Sequence, residues 1–210
     1  MIKILIADDH AVVRKGLKQI LAETTDIVAA DEAINGQEVL EKIRKNDYDI
    51  VMLDISMPGR NGLDILKQVK IEKPEMSVLI LSMHPEEQYA VRALKAGASG
   101  YLTKDSAPDE LILAIRKISQ GRKYITSSLA ERLAFYLEVD SEKPLHEALS
   151  DREYEVMRMI ASGKTVREIA EELFLSIKTI STYRSRIMEK MGMKNNTELV
   201  HYALKNRLLD

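Results

Sequence analysis

Short apolar runs and stretches of helical periodicity alternate through the first half of the chain, and this alternation constrains the fold more than any other feature. Ile2 to Ala7 reads as a strand, and the segment from Ala11 to Leu21 places Val12, Val13, Leu17, Ile20 and Leu21 at helical spacing. Ile27 to Ala30 is a shorter strand, Gln37 to Arg44 a helix with Val39, Leu40 and Ile43 inward, and Ile50 to Leu53 a third strand. Gly62 to Val69 gives a helix stopped before Pro74, Val78 to Leu81 a strand, Glu86 to Ala96 a helix ending at Gly97, and Tyr101 to Thr103 a last short strand. Pro108, in the first turn, opens a helix whose Leu111, Ile112, Ala114, Ile115 and Ile118 face the sheet. Such alternation predicts an α/β doubly wound, five-stranded parallel sheet.

In sheets of this kind chemistry gathers at the carboxyl ends of the strands. Asp8 and Asp9 close the first strand, and Asp54 closes the third just before a proline and glycine turn. Three carboxylates on one rim repel one another unless a cation sits among them, and hard oxygen donors suit Mg2+. Ser82 ends the fourth strand and Lys104 follows the fifth, so a hydroxyl and an ammonium join the acids. Taken singly, an aspartate at a strand end is more often a turn residue, Ser82 a bystander and Lys104 a solvated charge. Together they predict that Asp54 attacks phosphorus, that the cation neutralises developing charge, and that Lys104 and Ser82 hold phosphoryl oxygens.

The chain has 210 residues, enough for two modest domains, and its 31 Lys and Arg against 33 Asp and Glu exclude a globally basic nucleic-acid binder while permitting a local basic face. No apolar run approaches the roughly 20 residues that span a bilayer, so no membrane association is expected. Without cysteine there is no disulfide framework, and the expected location is cytoplasmic. Residues 1–121 form the first predicted domain and 122–145 a linker, in which Ser127 to Leu137 is expected to form a helix through Leu129, Leu133 and Leu137 and residues 140–144 read as solvated.

Residues 146–210 change period completely. Ser150 with Glu153, and Thr165 with Glu168, are capping boxes that open two helices, the first with Val156, Met157, Ile160 and Ala161 inward and stopped at Gly163, the second short, through Ile169, Ala170 and Leu173. Ser176 caps a third, from Ile177 to Met191, and a fourth runs from Thr197 to Asn206 with Leu199, Val200, Ala203 and Leu204 inward. Four short helices with a tight connection between the second and third predict a helix-turn-helix domain. The third helix turns Ile177, Ile180, Ile187, Met188 and Met191 one way, and Lys178, Ser181, Thr182, Ser185 and Arg186 the other, with Arg184 and Lys190 on its flanks. A small, polar, basic face suits the major groove of double-stranded DNA.

These motifs carry a family resemblance. Asp8-Asp9, the run from Asp54 to Gly62, Ser82, Tyr101 and Lys104 resemble a CheY-like response-regulator receiver domain. The stretches Leu149-Ser150-Asp151-Arg152-Glu153, Ala161-Ser162-Gly163-Lys164-Thr165, Glu168-Ile169-Ala170 and Thr179 to Arg184 resemble a LuxR-type helix-turn-helix, so the whole is similar to the NarL/FixJ class. The resemblance implies that a sensor histidine kinase phosphorylates Asp54. It also implies that Asp9, Asp54 and the Ser56 carbonyl bind Mg2+ with Asp8 assisting through water, and that Ser82 and Tyr101 form a switch pair. It assigns His84 and Ser56 to tuning phosphate loss. It further implies base contacts from Lys178, Ser181, Thr182 and Ser185, phosphate contacts from Thr165, Val166, Arg167, Thr179, Arg184, Arg186 and Lys190, and a homodimer formed on activation through the last helix. Asp105 stands where many receivers have proline after the lysine, which leaves the geometry of that peptide bond open. Two other readings compete: a phosphorylation-independent DNA-binding regulator, and an aspartyl-phosphate phosphatase of the haloacid dehalogenase type. The latter needs a second aspartate where Ser56 stands, so the chain is expected not to be an enzyme.

Overall fold

The computed structural model describes residues 1–57, 59, 61–138 and 144–209, without the side chains of residue 132 and residues 134–138. The chain divides into two compact units, Met1–Ala130 and Glu131–Asp210.

In the first unit β1 (Ile2–Ala7), β2 (Ile27–Ala33), β3 (Ile50–Asp54), β4 (Ser77–Ser82) and β5 (Gly100–Thr103) alternate with α1 (Ala11–Ala22), α2 (Gly36–Lys45), α3 (Gly62–Glu72), α4 (Glu86–Lys95) and α5 (Pro108–Ser119). The strands pair in parallel in the order β2-β1-β3-β4-β5. This is the expected doubly wound sheet. Every residue of β3 is buried, as a central strand covered on both faces requires. Ile4, Ile6, Met52, Leu79, Leu81 and Leu102 pack with Leu111, Ile115 and Ile118 of α5 and Leu21 of α1 in one continuous core. Residues alternate across a pleated strand, so Leu5, Val51, Leu53 and Ile80, all buried, serve the opposite face.

Two local expectations fail. β2 continues three residues beyond Ala30, because the polar Asp31 and Glu32 find partners: Tyr48 donates to Asp31 at 2.9 Å, Lys42 also binds Asp31, and Arg14 and Lys18 bind Glu32 at 2.8 and 2.5 Å. Val12 is exposed and does not join the inward stripe of α1.

The entry to α3 depends on a missing side chain. Asn61 caps the helix, its Oδ1 accepting from Leu63 N at 2.8 Å, and Gly62 N donates to Ile55 O at 2.9 Å. A Cβ on Gly62 would stand 2.4 Å from Asp54 O and 2.6 Å from Ile55 Cα, both backbone atoms that cannot yield.

In the second unit α6 (Ser127–Glu138), which begins in the first, is followed by a short 3-10 turn (Leu145–Ala148), α7 (Asp151–Ala161), α8 (Val166–Glu172), α9 (Ile177–Met191) and α10 (Asn196–Lys205). The linker expected over 140–144 lies outside the described residues apart from Pro144, as do the side chains of Ala134, Phe135 and Leu137. Both capping boxes form, and Ser176 and Asn195 cap α9 and α10. Gly163 and Gly192 take left-handed backbone at φ 89° and 65°, ending α7 and α9 as their positions predict. Buried Arg158 donates from Nε to Leu208 O at 2.8 Å and anchors the C-terminal segment. Ile177 and Leu204 were expected inward, yet both are more than half exposed, at 55% and 61%. Ile177 begins its helix, where no preceding turn covers it, and Leu204 widens the apolar arc of α10 beyond what its neighbours cover. Among the described residues no helix is long and apolar enough to cross a membrane.

Substituting Gly62→Ala is expected to destabilise the protein by about 2 kcal/mol or more, because an added methyl in a rigid backbone contact forces a shift. Urea unfolding followed by circular dichroism measures this, and an unchanged midpoint would show that the helix entry has room.

Candidate functional site

The parallel register brings the carboxyl ends of three strands together. Asp54 pairs with Leu81, Leu81 with Leu102, and Ser82 with Thr103, so the residues that end β3, β4 and β5 share one rim, and Asp8 follows β1 beside them. Lys104 N donates to Ser82 O at 2.8 Å, which turns the lysine back over this rim. Its Nζ lies 2.8 Å from Asp54 Oδ2 and 2.6 Å from Asp8 Oδ2, with both acid side chains almost wholly buried. Asp54 Oδ1 accepts from Ser56 N at 3.2 Å. Asp8 Oδ1 accepts from His10 N at 2.8 Å, and its carbonyl accepts from Arg14, whose Nε is held by Glu32.

Burial pushes the Asp54 carboxyl above the ordinary carboxylate range, against the opposing pull of Lys104. For Lys104, burial works to lower the pKa but loses to the charges and hydrogen bonds of Asp54 and Asp8, and the net shift is upward. A buried ammonium thus stays charged between two acids.

The acids also fit a divalent cation. One donor atom from each of Asp8, Asp9, His10 and Asp54 falls in a group spanning no more than 4.8 Å. Asp9 Oδ1 is buried and has no hydrogen-bond partner among the described residues. Carboxylate oxygens gathered at this density suit a hard ion such as Mg2+. His10 and Arg14 were not singled out from the sequence; the adjacency of His10 to the acid pair was the available signal, whereas nothing in the sequence marked Arg14.

The expected switch residues meet at one peptide. Ser82 and Tyr101 are both fully buried. Ser82 Oγ accepts from His84 N at 3.1 Å, and the Tyr101 hydroxyl donates to His84 O at 2.7 Å. The His84 ring stands 4.9 Å from that of Tyr89, and its Nε2 lies 3.4 Å from Ser56 Oγ. Ser56, Ser82, His84 and Tyr101 therefore connect the loops after β3 and β4 directly. The Lys104-Asp105 bond is trans.

In the second unit α8 and α9 form the two helices of a helix-turn-helix, joined through Phe174 in left-handed backbone at φ 54°. Lys178, Ser181, Thr182, Ser185 and Arg186 are all exposed on α9. Thr182 Oγ1 donates to Lys178 O at 2.9 Å and Ser185 Oγ to Ser181 O at 3.1 Å. Thr165 and Arg167 are exposed at the start of α8, Val166 is half-buried, and Thr179 Oγ1 lies 2.8 Å from Ser176 Oγ. Two of the α9 cations are engaged within the unit: Arg184 Nε donates to Asn196 Oδ1 at 2.9 Å, and Lys190 Nζ to buried Glu153 at 2.6 Å. Arg167 pairs with Glu171 one turn on, at 3.1 Å.

Comparison with known proteins agrees with both units. Residues 4–116 match the response regulator receiver domain family, and residues 147–203 the bacterial regulatory proteins of the luxR family. The response regulator UvrY of Escherichia coli is 36% identical over 209 residues, covering 99% of this chain and 96% of its own. The oxygen regulatory protein NreC of Staphylococcus epidermidis is 40% identical over 216 residues, covering 99% of each. The RcsB response regulator of Salmonella typhimurium superposes with a TM-score of 0.63 at 28% identity, over 97% of this chain and 100% of that one. A second RcsB structure, bound to a promoter in the presence of phosphomimetic BeF3-, superposes with a TM-score of 0.61 at 29% identity, over 98% of each chain. Sheet order, acid rim, helix-turn-helix and near full-length similarity converge, and the chain belongs to the response regulators of the NarL/FixJ class, a receiver domain joined to a LuxR-type DNA-binding domain.

Proposed function

We propose that this protein is a phosphorylation-controlled transcription regulator in which Asp54 accepts a phosphoryl group from a sensor histidine kinase. The observation that carries the reading is the position of Lys104 Nζ between Asp54 and Asp8, within 2.8 Å of each. An ammonium fixed there by backbone and charge is already aimed at the oxygens of a group arriving on Asp54. Asp8, Asp9, Asp54 and the Ser56 carbonyl would hold Mg2+, which supplies positive charge against the phosphoryl oxygens. Asp54 attacks as a carboxylate, so that its oxygen bonds to phosphorus as the P–N bond to the kinase histidine breaks and the imidazole leaves, while Lys104 binds one phosphoryl oxygen and the Ser82 hydroxyl donates to another. Ser82 and Tyr101 then report through His84, whose backbone both already hold.

The output is DNA binding by α9 in the major groove of a half-site. Lys178, Ser181, Thr182 and Ser185 face the bases, and Thr165, Val166, Arg167, Thr179, Arg184 and Arg186 face the phosphates. Lys190 belongs to the same expected set, but its ion pair with Glu153 gives it a structural role as well. The exposure of Leu204 on α10 supports pairing of two copies through that helix, since a twofold protein reads two half-sites. A sensor kinase and DNA as partners fit a cytoplasmic protein.

Acetyl phosphate with Mg2+ should add one phosphoryl group to the wild type by intact mass, and none to Asp54→Asn or to protein in excess chelator; labelling of either would refute the site. Because burial raises the pKa of Asp54, its reactive ionised form is lost at a higher pH than for an ordinary carboxylate of about 4. The initial labelling rate should therefore fall on acidification while carboxylates of ordinary pKa are still ionised.

Lys104→Met leaves two buried acids without their cation and should cost about 3 kcal/mol of stability near neutral pH. An acid whose folded-state pKa is raised binds its proton more tightly folded than unfolded, so lowering the pH through that folded value restores stability. The deficit of the variant in thermal unfolding should accordingly shrink as the pH is lowered, and a deficit independent of pH would contradict the assigned pair.

For the DNA face, Arg186→Ala should weaken binding alike on all sequences and reduce the slope of log affinity against log salt by about 1. A loss confined to one base position in a fluorescence-anisotropy series would place Arg186 on a base instead.

A further inference from the structure

His10 caps α1 in position but not in chemistry. The residue before a helix is commonly Ser, Thr, Asp or Asn, whose side chain accepts from the first turn, and the His10 side chain makes no such bond. Its ring turns back to the acid pair: Nδ1 lies 2.9 Å from Asp9 Oδ1 and 3.3 Å from Asp8 Oδ1. Asp9 Oδ1 is buried and makes no well-aligned hydrogen bond, and His10 Nδ1 is the nitrogen beside it at 2.9 Å. Two donors about 2.1 Å from one octahedral ion stand about 3 Å apart, which is the spacing found here. His10 thus gives α1 no side-chain cap, and its Nδ1 stands at a distance from Asp9 Oδ1 at which both could reach one ion.

We propose that His10 supplies a nitrogen ligand to the cation held by Asp9 and Asp54, so that this receiver prefers Mn2+ and later first-row ions over Mg2+ more strongly than carboxylates alone would dictate. The proposal rests on the metal site of the preceding reading and deepens it. Imidazole nitrogen adds affinity for transition ions along the Irving–Williams order and adds little for Mg2+, whose demand is for oxygen. His84, also near the rim, is turned toward Ser56 and Tyr89, so its ring is separately accounted for.

The test uses untagged full-length protein titrated with Mn2+. Free Mn2+ is read by continuous-wave electron paramagnetic resonance, and nitrogen coupling of the bound ion by electron spin echo envelope modulation. Expected results are 14N modulation in the wild type that disappears in His10→Gln and persists in His84→Gln. His10→Gln should also weaken Mn2+ about tenfold while competition shows Mg2+ changed by less than about twofold. Growth on 15N-histidine should replace the 14N modulation in the unsubstituted protein, a check that needs no variant to fold. Mn2+ bound in a manner dependent on Asp9 but without nitrogen modulation, or with modulation indifferent to His10→Gln, overturns the role of His10 alone. Absence of a stoichiometric Mn2+ site, or binding unaffected by Asp9→Asn, overturns this proposal and the metal site together.

Discussion

One ammonium group between two buried carboxylates governs the receiver. Lys104 Nζ, Asp54 and Asp8 lie within 2.8 Å contacts at the end of a parallel sheet, and burying each ion costs several kcal/mol before any pairing. Attraction to the lysine offsets that cost and also the repulsion between the acids. The fold supplies both sides of the balance. Parallel pairing sets β1 beside β3 and puts their acids on one rim, while the bond from Lys104 N to Ser82 O turns the fifth strand's exit over it. Such a site is sensitive by construction, because any group that brings new negative charge to Asp54 must rebalance the same ammonium.

The effect can spread because the neighbours share atoms. Ser82 Oγ accepts from His84 N and keeps its proton to offer, so drawing that hydroxyl toward a phosphoryl oxygen would pull the His84 peptide with it. Tyr101 is tied to the carbonyl of the same residue. Two residues on, Glu86 opens α4, and its Oε2 accepts from Thr126 Oγ1 at 2.7 Å and from Ser128 Oγ at 3.0 Å. Thr126 Oγ1 accepts in turn from Leu129 N in the first turn of α6. A chain of short polar contacts therefore runs from the acid rim to the helix that leads out of the receiver. Each neutral link is worth only about 1 kcal/mol, a scale on which one phosphoryl group can reorder them.

Periodicity carried most of this into the sequence. Every strand of the sheet and each capped helix of the second unit is marked by apolar spacing or by a side chain of unambiguous type, such as the boxes at Ser150 and Thr165. What escaped depends on contacts between distant residues. Asp31 and Glu32 look like the end of a strand until Lys42, Tyr48, Arg14 and Lys18 satisfy them. Val12, Ile177 and Leu204 fit an inward stripe by spacing, yet whether a helix edge is covered depends on the element beside it. In the candidate site Asp8, Asp9, Asp54, Ser82 and Lys104 were legible because each stands at a strand end. Arg14 reaches the Asp8 carbonyl from the first turn of α1, where an arginine carries no local signature.

The chemistry of α9 narrows what its exposed face can read. Thr182 and Ser185 both give their hydroxyl protons to carbonyls of their own helix, which leaves lone pairs turned outward. Toward a major groove such groups act as acceptors, and the bases that present amino donors there are adenine and cytosine. Lys178 is the strong donor of the set and matches guanine O6 and N7. A face made of two committed acceptors, one serine and one lysine makes few contacts of high discrimination per half-site. If this face reads bases as proposed, selectivity would depend on joining two half-sites at a fixed spacing and on the deformability of the DNA between them, which would tie DNA reading to the pairing of two copies.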